Sequence, residues 1–177
     1  GTGVGSGFIA NGKMIYGHDG FAGELGHTIA VREGRSCGCG RNGCLETYSS
    51  ATGIVRNAHE ILQNNTADSS LRQLDKITAK DIFDAAVNGD AIALEIFDFT
   101  GKILGQSLAD AVAITSPEAI ILFGGLAQAG NFIFEPTRKY MELNLLKIYQ
   151  GKVKLLASEL KESDAAILGA ASLIWNA

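Results

Sequence analysis

Residues 23–46, GELGHTIAVREGRSCGCGRNGCLE, contain all three cysteines of the 177-residue chain. The cysteines fall within eight residues as Cys37, Cys39 and Cys44, and His27 lies ten positions before the first of them. Three thiolates and one imidazole form a complete tetrahedral donor set for zinc. Glycines between the cysteines permit the sharp turns that this tight spacing needs. The stretch therefore predicts a structural zinc ion held by these four side chains, with no open position for water.

The cysteines could also serve other purposes. A disulfide framework would leave one of the three unpaired, and a chain of 177 residues is large enough to fold without covalent staples. A reactive thiol site and a set of plain core cysteines stay open as alternatives. Buried structural cysteines are not normally interleaved with glycines, so ligand type and spacing favour zinc.

The same stretch resembles a family signature. Gly-Glu-Leu-Gly-His followed by Cys-Gly-Cys-Gly-x-x-Gly-Cys-Leu-Glu is similar to the motif of the ROK family (repressor, open reading frame, kinase). That family contains bacterial glucokinases, fructokinases, N-acetylmannosamine kinases and sugar-responsive repressors. The resemblance covers essentially the whole chain, but only as the C-terminal lobe of the family. The chain begins Gly-Thr-Gly without methionine, so we expect it to be part of a longer protein.

The resemblance implies a fold and a domain organisation. The fold is α/β, of the actin-like ATPase (ribonuclease H-like) type, with a mixed sheet, flanking helices and an inserted zinc loop. Residues 1–177 would form a single domain, with the N-terminal lobe absent from this chain.

The resemblance also implies a hexose-binding site formed by Glu24, His27 and Glu46. The chemistry is suitable, because carboxylates accept hydrogen bonds from sugar hydroxyls and an imidazole N–H can donate one. Zinc on one ring nitrogen of His27 would fix the tautomer and leave the other N–H for the sugar. The alternative for both glutamates is an ordinary solvated surface charge.

Two glycine-rich turns are candidates for the nucleotide site. Residues 1–7, GTGVGSG, lack the Gly-Lys-Ser/Thr ending of a Walker loop, and a strand follows where a dinucleotide fingerprint needs a helix. Alone they favour a tight turn, and the Gly-Gly pair after the apolar run 119–123 is equally ambiguous. The resemblance implies that they are the second phosphate loop and the adenosine motif. The ATP-binding residues would then be Thr2, Gly3, Gly5, Gly124 and Gly125.

The implied reaction is transfer of the γ-phosphoryl group of ATP to a hexose hydroxyl, assisted by Mg²⁺. In the family the base is an aspartate of an Asn-Asp pair in the N-terminal lobe. This chain contains no Asn-Asp pair, so no catalytic residue is predicted in it and we expect the isolated chain to be inactive. Alternatives are a sugar-sensing repressor and a noncatalytic zinc-stabilised interaction domain. The complete GTGVGSG loop favours the kinase, because a repressor does not need ATP.

Composition limits the classes of partner. Hydrophobic residues make up 46% of the chain, charged residues 19%, and the net charge is −4. No basic patch is visible, so nucleic acid is not expected as a partner unless the repressor alternative holds. No apolar run is long enough for a membrane helix, and no signal peptide opens the chain. Reduced, metal-binding cysteines suit the cytoplasm.

The remaining patterns predict an alternation of helices and strands. Asn11-Gly12 between two short β-like runs is a strong hairpin signal. Apolar periodicity predicts helices over 45–62, 78–88, 90–115, 131–146 and 164–175, and strands over 28–31, 119–123 and 153–157. The strand at 119–123 is expected to be buried. The helix at 90–115 is apolar on most sides, which favours burial or a subunit interface and hence a homodimer or tetramer.

Overall fold

The computed structural model describes residues 2–161, 164–165, 167–169 and 171. In chain order its elements are β1 (Ile9–Ala10), β2 (Lys13–Met14), α1 (Glu46–Ser49), α2 (Ala51–Asn64), α3 (Ala79–Val87), α4 (Ala91–Thr115), β3 (Ala119–Leu122), α5 (Asn131–Asn144) and β4 (Lys154–Ala157). Short 3₁₀ turns occur at Leu25–His27, Ser70–Gln73 and Ala127–Ala129. The helix predicted at 164–175 lies largely outside the described residues.

The strands form two separate ladders. β1 and β2 pair antiparallel, and Asn11 (φ 52°) and Gly12 (φ 75°) form the left-handed two-residue turn that the sequence predicted. β3 and β4 pair in parallel from Ala119 opposite Lys154 to Leu122 opposite Ala157, with α5 as the crossover helix. Within the described residues, the chain is therefore α/β as expected, but its strands form one antiparallel and one parallel pair that are not joined into a single mixed sheet.

Helix α4 is the centre of the molecule. It packs along α5 and also contacts α1, α2 and α3. Asp90 begins the helix by accepting hydrogen bonds from the backbone N–H groups of Ile92 and Ala93. Fourteen of the 25 residues of α4 are buried. This burial accounts for the apolar sequence of α4 without a partner subunit. No helix in the described part of the chain combines the length and apolarity that crossing a membrane would require.

Helices α4 and α5 approach closely at two glycines. A Cβ atom added to Gly105 would lie 2.5 Å from the carbonyl oxygen of Thr137 and 2.7 Å from the backbone nitrogen of Met141. A Cβ atom on Gly101 would lie 2.7 Å from the ring of Pro136. The two backbones are therefore in direct contact, and larger residues at either glycine would force the helices apart.

The strand predicted at 28–31 is wrong. Only Ile29 forms an isolated β-bridge, with Cys44. The backbone N–H groups of Ala30 and Val31 both donate to the carbonyl of Gly43, at 2.9 and 3.1 Å. Because both donors converge on one acceptor, the segment curls around Gly43 and does not extend along a ladder.

The helix predicted at 45–62 is present as two helices, α1 and α2, divided at Ser50. Ser50 is extended (φ −107°, ψ 176°), and its hydroxyl accepts from the N–H of Gly53 at 3.0 Å as the N-cap of α2. The same hydroxyl donates to the carbonyl of Glu46 at 2.6 Å. One serine therefore ends the short helix that carries Glu46 and begins the next.

The expectation that 119–123 is a fully buried strand is also wrong. Ile120 and Leu122 pack against the core, whereas Ile121 is 63% exposed. Side chains alternate between the two faces of a strand, and here the helical core covers one of them.

Candidate metal centre and ligand-binding site

The four predicted metal ligands lie together. One donor atom from each of His27, Cys37, Cys39 and Cys44 lies within 4.8 Å of all the others. The Sγ atoms of Cys39 and Cys44 are 3.6 Å apart, and Sγ of Cys37 is 3.7 Å from Nδ1 of His27. Tetrahedral zinc with ordinary bond lengths requires edges of about 3.6–3.8 Å. The donor set therefore fits a four-coordinate zinc ion, and all three cysteines are free thiols.

The local backbone explains how so tight a spacing can work. Cys37 and Arg41 close a turn, with the N–H of Cys37 donating to the carbonyl of Arg41 at 2.9 Å. Cys44 reaches the cluster from the bridge with Ile29. The turn between them needs Gly43 (φ 82°), because a Cβ atom there would lie 1.7 Å from the carbonyl oxygen of Val31.

The thiols differ in acidity. A hydrogen bond from the backbone N–H of Arg41 lowers the pKa of Cys39 to about 7. For Cys37 the backbone N–H of Cys39 acts in the lowering direction, but the contact with Glu46 and burial outweigh it, raising the pKa to about 12. Sγ of Cys37 donates to Oε1 of Glu46 at 3.0 Å. A thiol binds a metal as the thiolate, so loading of the site must release the Cys37 proton.

The ring of His27 connects the cysteine cluster to an open cavity. Its Nδ1 faces Cys37 and lies 3.7 Å from Oε1 of Glu46. Its Nε2 points the other way and lies 3.9 Å from Oε2 of Glu24. One ring nitrogen therefore lies toward the thiols and the other toward an acidic side chain.

A cavity of about 770 Å³ borders the ring. Its lining includes Glu24 and His27, together with Phe21, Thr28, Ile29, Cys39 and Arg41. Glu46 lies behind the ring instead, with 22% of its side chain exposed. A Cβ atom on Gly3 would lie 2.5 Å from its Oε2. Glu46 therefore stands between the cysteine cluster and the glycine-rich loop.

A second cavity, of about 230 Å³, separates the glycine-rich loop from the turn after β3. Its lining brings together three of the predicted ATP-binding residues, Gly3, Gly5 and Gly124. Thr2 and Gly125 adjoin them in sequence but are not part of the lining. The carbonyl of Thr2 instead accepts a hydrogen bond of 2.7 Å from the hydroxyl of Thr52.

Sequence reasoning missed that helix α2 begins at this second cavity. Ser49, Ser50 and Ala51 contribute to the lining. The first N–H groups of a 14-residue helix and its dipole favour a negative charge placed there. The Ser50 cap followed by Gly53 is the sequence signal that could have located this start.

Sequence reasoning also missed a contact between the glycine-rich loop and residues 23–26, the segment that contains Glu24. The hydroxyl of Ser6 accepts from the N–H of Leu25 at 3.3 Å and donates to the carbonyl of Gly23. A Cβ atom on Gly26 would lie 1.9 Å from the carbonyl oxygen of Val4. These contacts join residues 17–22 positions apart, so no local sequence pattern predicts them.

Comparisons with known proteins agree with the motif. The ROK family model matches residues 1–177. A glucokinase from Halalkalibacterium halodurans is 37% identical over 98% of this chain and 54% of its own length. An N-acetylglucosamine repressor from Escherichia coli is 31% identical over 99% of this chain and 42% of its own length. This chain thus spans about half the length of the curated relatives that it matches.

Solved structures give the same relationship. The crystal structure of a ROK family glucokinase from Streptomyces griseus, in complex with glucose and AMPPNP, superposes with a TM-score of 0.85 at 32% identity. The match covers 98% of this chain and 57% of that chain. By motif, family model and three-dimensional similarity, the chain belongs to the ROK family.

Proposed function

We propose that this chain is the C-terminal lobe, a single domain over residues 1–177, of an ATP-dependent hexose kinase of the glucokinase type. The observation that carries the proposal is the orientation of His27, whose Nδ1 faces the cysteines while its Nε2 faces Glu24, and both His27 and Glu24 line the larger cavity. Two further findings support it. Glucokinases are among the relatives, and a similar solved glucokinase is in complex with glucose and AMPPNP.

In this proposal Glu24, His27 and Glu46 bind the sugar. The two carboxylates accept hydrogen bonds from hydroxyl groups, and Nε2–H of His27 donates one. A zinc ion held by His27, Cys37, Cys39 and Cys44 would fix the loop and the imidazole tautomer, a structural contribution. Glu46 lies beside Gly3, so it would bind the sugar at the border with the nucleotide cavity.

The nucleotide part of the proposal uses the smaller cavity. The backbone N–H groups around Gly3 and Gly5, the hydroxyl of Thr2 and the first turn of α2 are suited to phosphate oxygens. The turn at Gly124-Gly125 would accommodate adenosine, with Mg²⁺ accompanying the phosphates. Phosphoryl transfer depends mainly on positioning and charge stabilisation, with one base to take the hydroxyl proton. No Asn-Asp pair occurs in the 177 residues, so the base would come from the rest of the parent protein.

A second candidate is a sugar-sensing transcriptional repressor, because an N-acetylglucosamine repressor is 31% identical to this chain. The cavity between the glycine-rich loop and Gly124 favours the kinase, since a repressor has no need of an ATP site.

The deciding assay is ATP-dependent phosphorylation of glucose, fructose, mannose and N-acetylmannosamine by the full-length parent and by residues 1–177 alone. We expect turnover by the parent, with glucose as the best substrate, and none by the isolated chain. Absence of the base alone costs on the order of 10²–10⁴ in rate. A parent that binds sugar and DNA but transfers no phosphate would establish the repressor alternative. Turnover by residues 1–177 would show that the base lies within them.

We also propose that the parent is a cytoplasmic homodimer or tetramer, as the family resemblance suggests. Sizing of the intact parent at micromolar concentration tests the assembly, and a monomer there would refute it.

A further inference from the structure

Arg35 lies two residues before the first cysteine and makes contacts that the proposed function does not use. Its Nε and Nη2 donate to the two carboxylate oxygens of Glu60 on α2, at 2.7 and 2.6 Å. Its Nη1 donates to the carbonyl of Thr47 at 2.6 Å and to Oδ1 of Asn57 at 2.7 Å. Only 11% of the Arg35 side chain is exposed, so its charge-assisted hydrogen bonds to Thr47 and Asn57 are shielded from water, whereas the Glu60 side chain is 53% exposed.

The partners of Arg35 connect it to the helical core. The guanidinium stacks on the ring of Tyr48, 4.2 Å from the centroid. The Tyr48 hydroxyl accepts from the backbone N–H of Arg35 at 3.0 Å. Asn57 donates to the carbonyl of Tyr48 at 2.9 Å and to the hydroxyl of Thr100 on α4 at 2.7 Å. We refer to Arg35, Tyr48, Asn57 and Glu60 as the Arg35 clamp.

The clamp acts on the helix that carries Glu46. α1 has only four residues, too few to be stable alone. The carbonyl of Thr47 is one of the helix-end acceptors that need an external donor, and Arg35 supplies it. The carbonyl of Glu46 itself accepts from Ser50. The backbone around Glu46 is therefore held by the clamp, by Ser50, and by the carbonyl of Cys44, which accepts from the N–H and the hydroxyl of Thr47 at 3.0 and 2.7 Å. These contacts use backbone and hydroxyl groups, whereas the thiol of Cys37 touches the Glu46 side chain.

We propose that Arg35 is a positioning residue for the sugar site, which fixes Glu46 and the entry to the cysteine loop against α2 and α4 independently of the metal. That the bound ligand is a hexose rests on the proposed function. That Arg35 positions Glu46 without the metal does not rest on it. This positioning requires arginine, because only a planar guanidinium group can pair with Glu60 in a bidentate manner while donating to Thr47 and Asn57.

The kinetic test compares Arg35→Gln and Arg35→Lys in the full-length parent. The matched control is Arg72→Gln, which removes an arginine that donates to three backbone carbonyls away from the site. In both Arg35 variants we expect KM for the hexose to rise about 10–100-fold, with kcat and KM for ATP changing less than about threefold. Elemental analysis should still find one zinc ion per chain. The control should resemble the wild type.

Hydrogen exchange gives a readout that does not depend on sugar binding. The amides of Ser49 and Gly53 bond within the α1–α2 junction. We expect their protection to survive chelation of zinc from the wild type and to fall in zinc-loaded Arg35→Gln. Two outcomes would mean that Arg35 acts through the metal, and either would overturn the proposal. One is that chelated wild type loses as much protection as Arg35→Gln. The other is that both variants lose zinc together with sugar affinity. If wild-type parent binds no hexose, the proposed function fails while the exchange experiment still decides the clamp. If Arg35→Gln does not fold, the exchange experiment is carried out with Arg35→Lys.

Discussion

Residues 2–42 contain one fully buried residue, Gly26, whereas α4 alone buries fourteen of its 25 residues. The loop-rich region, residues 2–45, contains eight of the eleven predicted binding residues: Thr2, Gly3, Gly5, Glu24, His27, Cys37, Cys39 and Cys44. The helical region, residues 46–145, contains most of the apolar core, including Ile54, Ile82, Ile96, Phe97 and Met141.

The two regions consequently depend on different physics. The helical region is stabilised by apolar burial, which many residues share. The loop-rich region buries little apolar surface, so its shape depends on single contacts: the cysteine cluster, the hydrogen bond from the Leu25 N–H to the Ser6 hydroxyl, and the Arg35 clamp. Changes in the loops should therefore impair ligand binding with little loss of global stability, and changes in the helical core should do the reverse.

The largest effect is expected from Cys39→Ala. Loss of one of four ligands should release the zinc ion and disorder the loop, since the free energy of metal binding is also folding free energy. Hexose affinity of the parent should fall more than about 100-fold, while the far-UV circular dichroism of the helices persists. Ser36→Ala, in the same loop, is the control. A variant that binds hexose normally without zinc, or wild-type protein without stoichiometric zinc, would contradict this prediction.

Gly105→Ala should produce the opposite result. Its Cβ atom would lie 2.5 Å from the Thr137 carbonyl, so α4 and α5 must separate, at a cost of about 1–3 kcal/mol in the free energy of unfolding. Denaturant unfolding measures this cost, and hexose affinity at low temperature should be unchanged. Ala113→Leu, at an exposed position of α4, should leave stability nearly unaltered. Equal stability of Gly105→Ala and wild type would show that the helix contact can relax.

The helical region was also easier to predict from sequence, because its signals are local. The helix predicted at 78–88 begins with a capping box of Thr78 and Asp81, and the apolar run beginning after Asp90 is helix α4. The strand expected at 28–31 is wrong because its donors bind a carbonyl more than ten residues away, at Gly43.

The candidate site divides in the same way. Its metal-binding residues are recognisable because unusual donor types cluster in a short stretch. Arg35 and Ser6 are not, because their contacts span 25 and 19 residues and use side chains that are common on surfaces. The position of Glu46 behind His27 depends on the break at Ser50, which apolar periodicity does not reveal.

Ser6→Ala should have a smaller effect, confined to the sugar. The Ser6 hydroxyl bonds to Gly23 and Leu25, the residues on either side of Glu24. Loss of these bonds should raise KM for the hexose about 3–10-fold, which corresponds to about 1 kcal/mol. Thermal stability should stay within about 1 °C of wild type, since Ser6 is exposed. Steady-state kinetics of the parent measures KM, with Ser70→Ala in the helical region as a control. An unchanged KM would show that Glu24 is held by other contacts.

The smallest effect is expected in the pH dependence of stability, and it comes from the Arg35–Glu60 ion pair that joins the two regions. The hydrogen bond from Arg35 holds the pKa of Glu60 below its ordinary value of 4.5. A carboxyl group with a depressed folded-state pKa contributes stability that is fully present above the unfolded-state pKa and is lost as pH falls through the folded value. Because 53% of the Glu60 side chain is exposed, screening limits the contribution to about 0.5–1 kcal/mol. Urea unfolding of wild type and Glu60→Gln at a series of pH values should give curves that differ at neutral pH and converge below pH 4.5. Glu159→Gln, an exposed glutamate, provides the matched charge removal. Parallel curves for wild type and Glu60→Gln across the whole range would mean that the pair between the loop and α2 contributes no stability of its own.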